Sequence, residues 1–366
     1  MTSFATARAK RPTLYCAITG HGFGHAVRVA CIAHRLQQLC PEVLIIMATR
    51  SPRWLLASYL EKPFIHRPVA VDVGVIQADS LQMNTEATLA QLTQIYRRKN
   101  GLIATESNYL RNNQVDLVLA DIPALAVAIA HQAGIPAWCV SNFGWNFIYR
   151  DWGEPFAEIV ADIEKDYAQA DLLFRLPLAE PMEIFPQQLD VGLTGGDPRF
   201  GERHLRQTFG ITAPRERTVL LTFGGLGLQA IPYNTLNAFP DWQFLTFDRQ
   251  APKLPNLILV PHQTYRPVDI MPICGRVISK PGFSTFAEAL RLEVPLISLT
   301  RDGFAEAAIL LAGLQQYGEH QIIDHQDFFA GNWHCLNYPP NPPQFSHKLA
   351  KNGDRQIAAK ILDQIS

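Results

Sequence analysis

Twice along this 366-residue chain, short runs of Val, Ile and Leu alternate with stretches of helical periodicity, and few folds accommodate that rhythm. In the first half the apolar runs cover residues 14–19, 43–48, 117–120 and 137–140, with helical patterns over 25–39 and 124–133. Near-continuous apolar strands are buried on both faces, and the helices between them are the crossovers a parallel sheet requires. A second series starts near residue 218, with runs at 219–223, 243–247, 257–260, 277–279 and 295–299 and a helix over 285–292. The expected fold class is α/β: two Rossmann-like, doubly wound domains facing across a cleft. Residues 1–180 make the first expected domain and 181–345 the second, joined through the Pro- and Gly-rich stretch 176–198. A helix over 346–365 is expected to pack back across the domains.

Size and composition agree with two cores. A chain this long exceeds what one hydrophobic core usually serves, and a hydrophobic share of 48% against 18% charged excludes a disordered chain. A net charge of -1 sets up no field for a phosphate backbone, which argues against nucleic acid as a partner. The six cysteines, Cys16, Cys31, Cys40, Cys139, Cys274 and Cys335, lie scattered without metal-type spacing. They read as buried thiols in a reducing cytoplasm. Residues 1–12 carry no apolar segment of the signal-peptide kind. The most apolar stretch, 117–130, is broken by Asp121 and Pro123 and is shorter than the roughly 20 residues that span a bilayer. No transmembrane segment is expected; peripheral membrane contact stays open.

Chemistry concentrates in the loops after strands. Gly20, His21, Gly22, Phe23, Gly24 and His25 follow the first strand and precede the first helix. Glycines there let the backbone approach a ligand, and the helix start offers unpaired N–H groups. Either histidine is suited to taking a proton at neutral pH, or to plain packing. Asp121 ends another strand, at the sheet edge where doubly wound folds bind ligands. It would orient a histidine as in a catalytic triad, or cap the helix over 124–133. In the second half Gly224, Gly225 and Gly227 suit a diphosphate cradle. The segment Lys280, Gly282, Ser284, Thr285 and Glu288 brings a cation, hydroxyls and a helix N-terminus together as an anion site. The alternative for Ser284 or Thr285 is a capping box with Glu288. Asn142, Trp145, Asn146 and Tyr149 form a polar and aromatic cluster suited to stacking on a sugar, or to packing.

The run from Lys280-Pro281-Gly282 to Glu288, followed by Val294-Pro295 and Asp302, resembles the donor-binding signature of GT-B glycosyltransferases. Residues 19–25, 75–81, 141–149 and 301–304 resemble one branch more closely, the glycosyltransferase-like N-terminal half of L-arabinokinases, and the likeness spans about residues 13–330. Nothing resembles the sugar-kinase phosphate loop, so kinase activity is not implied.

The resemblance implies that His25 is the catalytic base and Asp121 its supporting acid. It places Lys280 on the diphosphate, Glu288 on the ribose, Pro261 and His262 at the nucleobase, and Asp302 and Glu306 at the donor sugar. His21, Gly22, Phe23, Gly24 and the Asn142 region would line the acceptor cleft. Lys280 stands where the family has His or Arg, Asp302-Gly303 where it has an acidic-Gln pair, and no tryptophan precedes Pro261. The implied activity is glycosyl transfer from a nucleotide sugar, UDP-sugar favoured, to an acceptor hydroxyl, inverting and without metal or other cofactor. A non-catalytic nucleotide-sugar-binding module and a sugar-nucleotide 2-epimerase are the alternatives.

Overall fold

A computed structural model describes residues 10–225 and 227–366. The N-terminal segment judged not to be a leader mostly lies outside those residues, as does Leu226 within the second glycine loop.

Strands β1 Thr13–Ile18, β2 Leu44–Ala48, β3 Ile65–Arg67, β4 Leu117–Asp121, β5 Ala137–Ser141, β6 Leu172–Arg175 and β7 Gln188–Asp190 form the first sheet, in the order β3-β2-β1-β4-β5-β6-β7. Strands β8 Thr218–Leu221, β9 Gln243–Thr246, β10 Leu257–Leu259, β11 Arg276–Ser279, β12 Leu296–Leu299 and β13 His320–Ile323 form the second, in the order β10-β9-β8-β11-β12-β13. Every pairing in both sheets is parallel. The order reverses beside β1 and β8, opening the crevice in which such sheets hold ligands. β1 and β4 are wholly buried because helices cover both faces, which is why they read as uninterrupted apolar runs.

The first sheet continues to β7, ten residues past the boundary expected at 180. The last helix is shorter than expected, Gly353–Ile365 rather than 346–365. The chain before it runs alongside 192–193 instead, with Leu193 N–H donating to Ala350 O at 2.7 Å and Gly353 N–H to Leu193 O at 3.0 Å. That contact requires glycine, since a Cβ on Gly353 would lie 1.9 Å from Gly192 O. The helix packs its Ile357, Ala358 and Ile361 face on helix Gly24–Leu39, and Arg35 Nε is 2.7 Å from the buried carboxylate of Asp354.

Three apolar clusters result. One is built mainly from the first half, with Phe304 of the second inserted, and one mainly from the second, with Leu81 of the first packed on it. The third joins them: Val29 and Ile32 from helix Gly24–Leu39 share it with Ile270, Phe286 and the closing helix.

Candidate active site

The loop after β1 turns through Gly22 in left-handed backbone, φ 68°, and enters helix Gly24–Leu39 with His25 in its first turn. In the parallel register Ile18 faces Asp121, so the last residue of β4 reaches the same edge as this loop. His25 Nδ1 lies 2.7 Å from Asp121 Oδ1. Arg28, one turn further along the helix, donates from Nε to Asp121 Oδ2 at 2.7 Å and from Nη2 to Oδ1, and from Nη1 to Asn142 Oδ1 at 3.1 Å. Asp121 is not a helix cap: helix Ala124–Ala133 starts after Pro123 with no side-chain cap, and both carboxylate oxygens are committed to His25 and Arg28. Burial pushes the Asp121 carboxyl up, but the Arg28 charge and His25 outweigh this and hold it below its ordinary range. An anionic acceptor at Nδ1 fixes the proton on that nitrogen and leaves Nε2 as the basic atom. Arg28 escaped the sequence reading, although its i,i+3 spacing from His25 puts both on one helix face.

The second half meets this wall at close range. Ser284 Oγ donates to Gly24 O at 2.8 Å, and a Cβ on Gly24 would stand 3.0 Å from that hydroxyl. The capping box is therefore not formed. Helix Phe283–Leu292 begins after Gly282 without a side-chain cap. Glu288 instead accepts the Gly196 N–H at 3.2 Å, and burial raises its carboxyl to about 7. Phe23 lies against Gly225, where a Cβ would be 2.5 Å from its ring. Ser80 closes over the second glycine loop, Oγ to Phe223 O at 2.7 Å and N–H to Gly227 O at 3.1 Å. Gly224 and Gly227 both need positive φ, 79° and 66°.

Between the halves runs a cleft of about 1370 Å³, bordered by Glu288, His262 and Trp54, which narrows past Gly224, Gly225, Ser284 and Thr285. Beyond that neck lies a smaller chamber lined by His21, Gly22, His25, Gln77, Asn142, Lys280, Gly282, Arg301 and Glu306. Lys280 reaches the neck from the chamber side: its Cε lies 3.6 Å from the Cβ position of Gly224 and its Nζ 3.7 Å from that of Gly282. Burial and then the Arg301 charge pull the Lys280 ammonium down to about 7, against the opposing pull of Glu306. Among the described residues no group of three or more His, Cys, Asp or Glu side chains is placed to hold a metal ion.

Several expected residues lie elsewhere. Asp302 points outward, 87% exposed and 4.0 Å from His325; its neighbour Arg301 faces the chamber in its place, together with Glu306, which accepts from Asn142 Nδ2 at 2.7 Å. Trp145, 2% exposed, is stacked on Tyr149 and donates to Asp72 at 2.9 Å, so its faces are closed to a sugar. Asn146 turns to Glu164 at 3.3 Å and Tyr149 to Gly74 O at 2.7 Å, leaving Asn142 as the member of that cluster in the chamber. His21 packs on Phe304 with ring centres 5.8 Å apart, and burial and its cationic neighbours hold it well below the usual imidazole range, so it is neutral. His262 borders the cleft and Pro261 is exposed beside it. Trp54, from the first half, stands edge-on to His262 at 5.1 Å and borders the same cleft.

The fold recurs in solved structures. The glycosyltransferase of kitacinnamycin superposes with a TM-score of 0.61 at 14% identity, covering 98% of this chain and 100% of that one. UDP-glucose:anthocyanidin 3-O-glucosyltransferase, solved with UDP, gives 0.61 at 12% identity over 98% and 95% of the two chains. This chain has the GT-B glycosyltransferase fold. VinC, a glycosyltransferase solved with dTDP, shares this GT-B architecture with a TM-score of 0.58 at 17% identity, over 96% and 95% of the chains. In sequence, the GT-B chain is 31% identical to L-arabinokinase of Arabidopsis thaliana over 327 residues, 86% of this chain. It spans 31%, about a third, of that relative's length. No protein-family profile matches it.

Proposed function

We propose that this protein transfers a glycosyl group from a nucleoside diphosphate sugar, a UDP-sugar, to an acceptor hydroxyl, with inversion and without a metal. The observation that carries the reading is the buried His25–Asp121 pair at 2.7 Å, facing a chamber that also holds Lys280. The anthocyanidin glucosyltransferase solved with UDP and VinC solved with dTDP support the choice of donor class. In this scheme His25 Nε2 takes the acceptor O–H proton while the oxygen forms its bond to the anomeric carbon. The bond from that carbon to the diphosphate oxygen breaks, and its electron pair leaves with the diphosphate. Asp121 stabilises the imidazolium without taking its proton. Lys280 and the N-terminus of helix Phe283–Leu292 stabilise the departing charge in a narrow, water-poor neck, so the scheme asks no metal for that role.

The partners are thus a nucleotide sugar and an acceptor. All six cysteines are free thiols, which fits the reducing, cytoplasmic setting we propose; among the described residues no helix is long and apolar enough to cross a membrane. Kinase activity is not part of the proposal.

The test is His25→Ala, assayed for product and for nucleotide binding by calorimetry. Turnover is expected to fall at least 1000-fold, on the order of what general-base removal together with a lost nucleophile-activating contact costs, while the UDP dissociation constant stays within about twofold. Unchanged turnover would sink the reading, as would a wild-type protein that binds UDP-sugar and transfers nothing to any acceptor. Conversion of the donor sugar with no acceptor present would point to epimerisation instead.

A further inference from the structure

The chamber contains buried donors with nothing to bond. Arg301 is 8% exposed, and its Nε and Nη2 have no hydrogen-bond partner among the described residues; Gln77 Nε2, on the same chamber wall, has none either. A buried guanidinium left with free N–H groups is costly, and such groups are satisfied in working structures by ordered water, an ion or a ligand. The Arg301 side chain is held, not loose: its guanidinium lies over the Phe304 ring at 4.0 Å, and Phe304 is itself 3% exposed. Glu306, whose charge acts on Arg301 ahead of that of Asp79, already accepts from Asn142. The unmet groups at this corner, Arg301 Nε and Nη2 and Gln77 Nε2, are all donors, so the partner they lack is an acceptor.

Position separates this corner from the diphosphate. The glycine loops, Ser284 and Thr285 border both cavities and therefore mark the neck, whereas Glu288 and His262 border only the outer cleft. Arg301, Gln77 and His25 border only the chamber, as Lys280 does, but Lys280 reaches back to within 3.6 Å of the Cβ position of Gly224 in the neck. A donor with its nucleoside in the cleft and its diphosphate in the neck presents its sugar to Arg301 and Gln77. Resting on the donor reading above, we infer that the transferred sugar carries a carboxylate, as a hexuronic acid does, bound by the Arg301 guanidinium and the Gln77 amide. A planar carboxylate matches the guanidinium fork with two parallel N–H···O bonds, and no neutral sugar hydroxyl does.

The measurement is titration calorimetry with UDP, UDP-glucose, UDP-galactose, UDP-glucuronate and UDP-galacturonate, on the wild type, Arg301→Gln and Arg301→Lys. One of the two uronates is expected to bind at least about tenfold tighter than its neutral counterpart. Arg301→Gln should erase that difference while leaving UDP itself within about twofold, and Arg301→Lys should restore part of it; retained UDP binding shows that each variant is folded. Equal binding of uronate and neutral sugar by the wild type overturns the inference and leaves the donor reading standing. Loss of UDP affinity in Arg301→Gln in the same proportion as uronate affinity also overturns it, since Arg301 would then grip the diphosphate. Failure of the wild type to bind UDP at all overturns both.

Discussion

Two residues, Asp121 and Lys280, carry charges whose surroundings decide what they can do. Asp121 is the anion for two neighbours at once, His25 and Arg28, and Arg28 is itself almost wholly buried. Asp121→Asn leaves that guanidinium without its counter-charge, a change that costs about 3–5 kcal/mol for buried pairs broken from one side. Chemical denaturation should show a loss of that size, together with loss of turnover; a variant as stable as the wild type would mean that Asn142 alone suffices for Arg28. Lys280 gives a pH signature. Because burial and Arg301 pull its pKa down to about 7 in the empty protein, it is cationic below that pH and neutral above it. With Lys280 holding the diphosphate as proposed, the UDP dissociation constant should rise by about tenfold per pH unit once pH climbs past 7. Lys280→Met should flatten the profile, and a flat wild-type profile would contradict the assignment. His25 and Asp121 were legible in the sequence because each sits at a strand end beside a helix start. Arg301 was not, because its neighbour Asp302 carried the family likeness and sequence adjacency does not say which of two successive side chains faces inward.

At the level of elements, the site depends on close backbone approaches. Gly24 accommodates the Ser284 hydroxyl, and Gly225 the Phe23 ring, so each half places a side chain against a glycine of the other. Gly225→Ala would drive a Cβ into the Phe23 ring, and Phe23 is a bulky group that must then leave the neck. UDP affinity is expected to fall at least tenfold with little change in overall stability, as read by calorimetry and thermal melting. The closing helix has its own glycine constraint. Gly353→Ala sets a methyl 1.9 Å from Gly192 O and should cost about 1–3 kcal/mol without changing UDP affinity. The strand and helix pattern around β1, β4 and β11 was readable because buried parallel strands show as solid apolar runs. The helices Thr85–Arg97 and Lys99–Asn112 escaped notice: their polar faces dilute the apolar periodicity, and only packing against neighbours makes them distinct.

For the whole molecule, the shared apolar cluster means that the two sheets are not independent bodies. Helix Gly24–Leu39 belongs to the first half by connectivity, yet it shares a core with helix Phe283–Leu292 and with the closing helix. Scanning calorimetry should therefore show one cooperative unfolding transition rather than two, since exposing either half opens the common core. Two resolved transitions would show that the shared cluster contributes little. The expected boundary at 180 fell short for the same reason that it was hard to see: β7 is three exposed residues at a sheet edge, with no apolar run to announce it.

By itself the sequence determined the class of fold, the two-part organisation and the loops that carry the chemistry, because apolar periodicity and glycine placement act locally and survive in one dimension. Only the tertiary structure decided which side chains share the chamber. It paired His25 with Asp121 across 96 residues and turned Trp145 and Asp302 away. It also left Arg301 buried with N–H groups that meet no partner among the described residues, a condition that depends on what surrounds a side chain in space rather than on what precedes it in the chain.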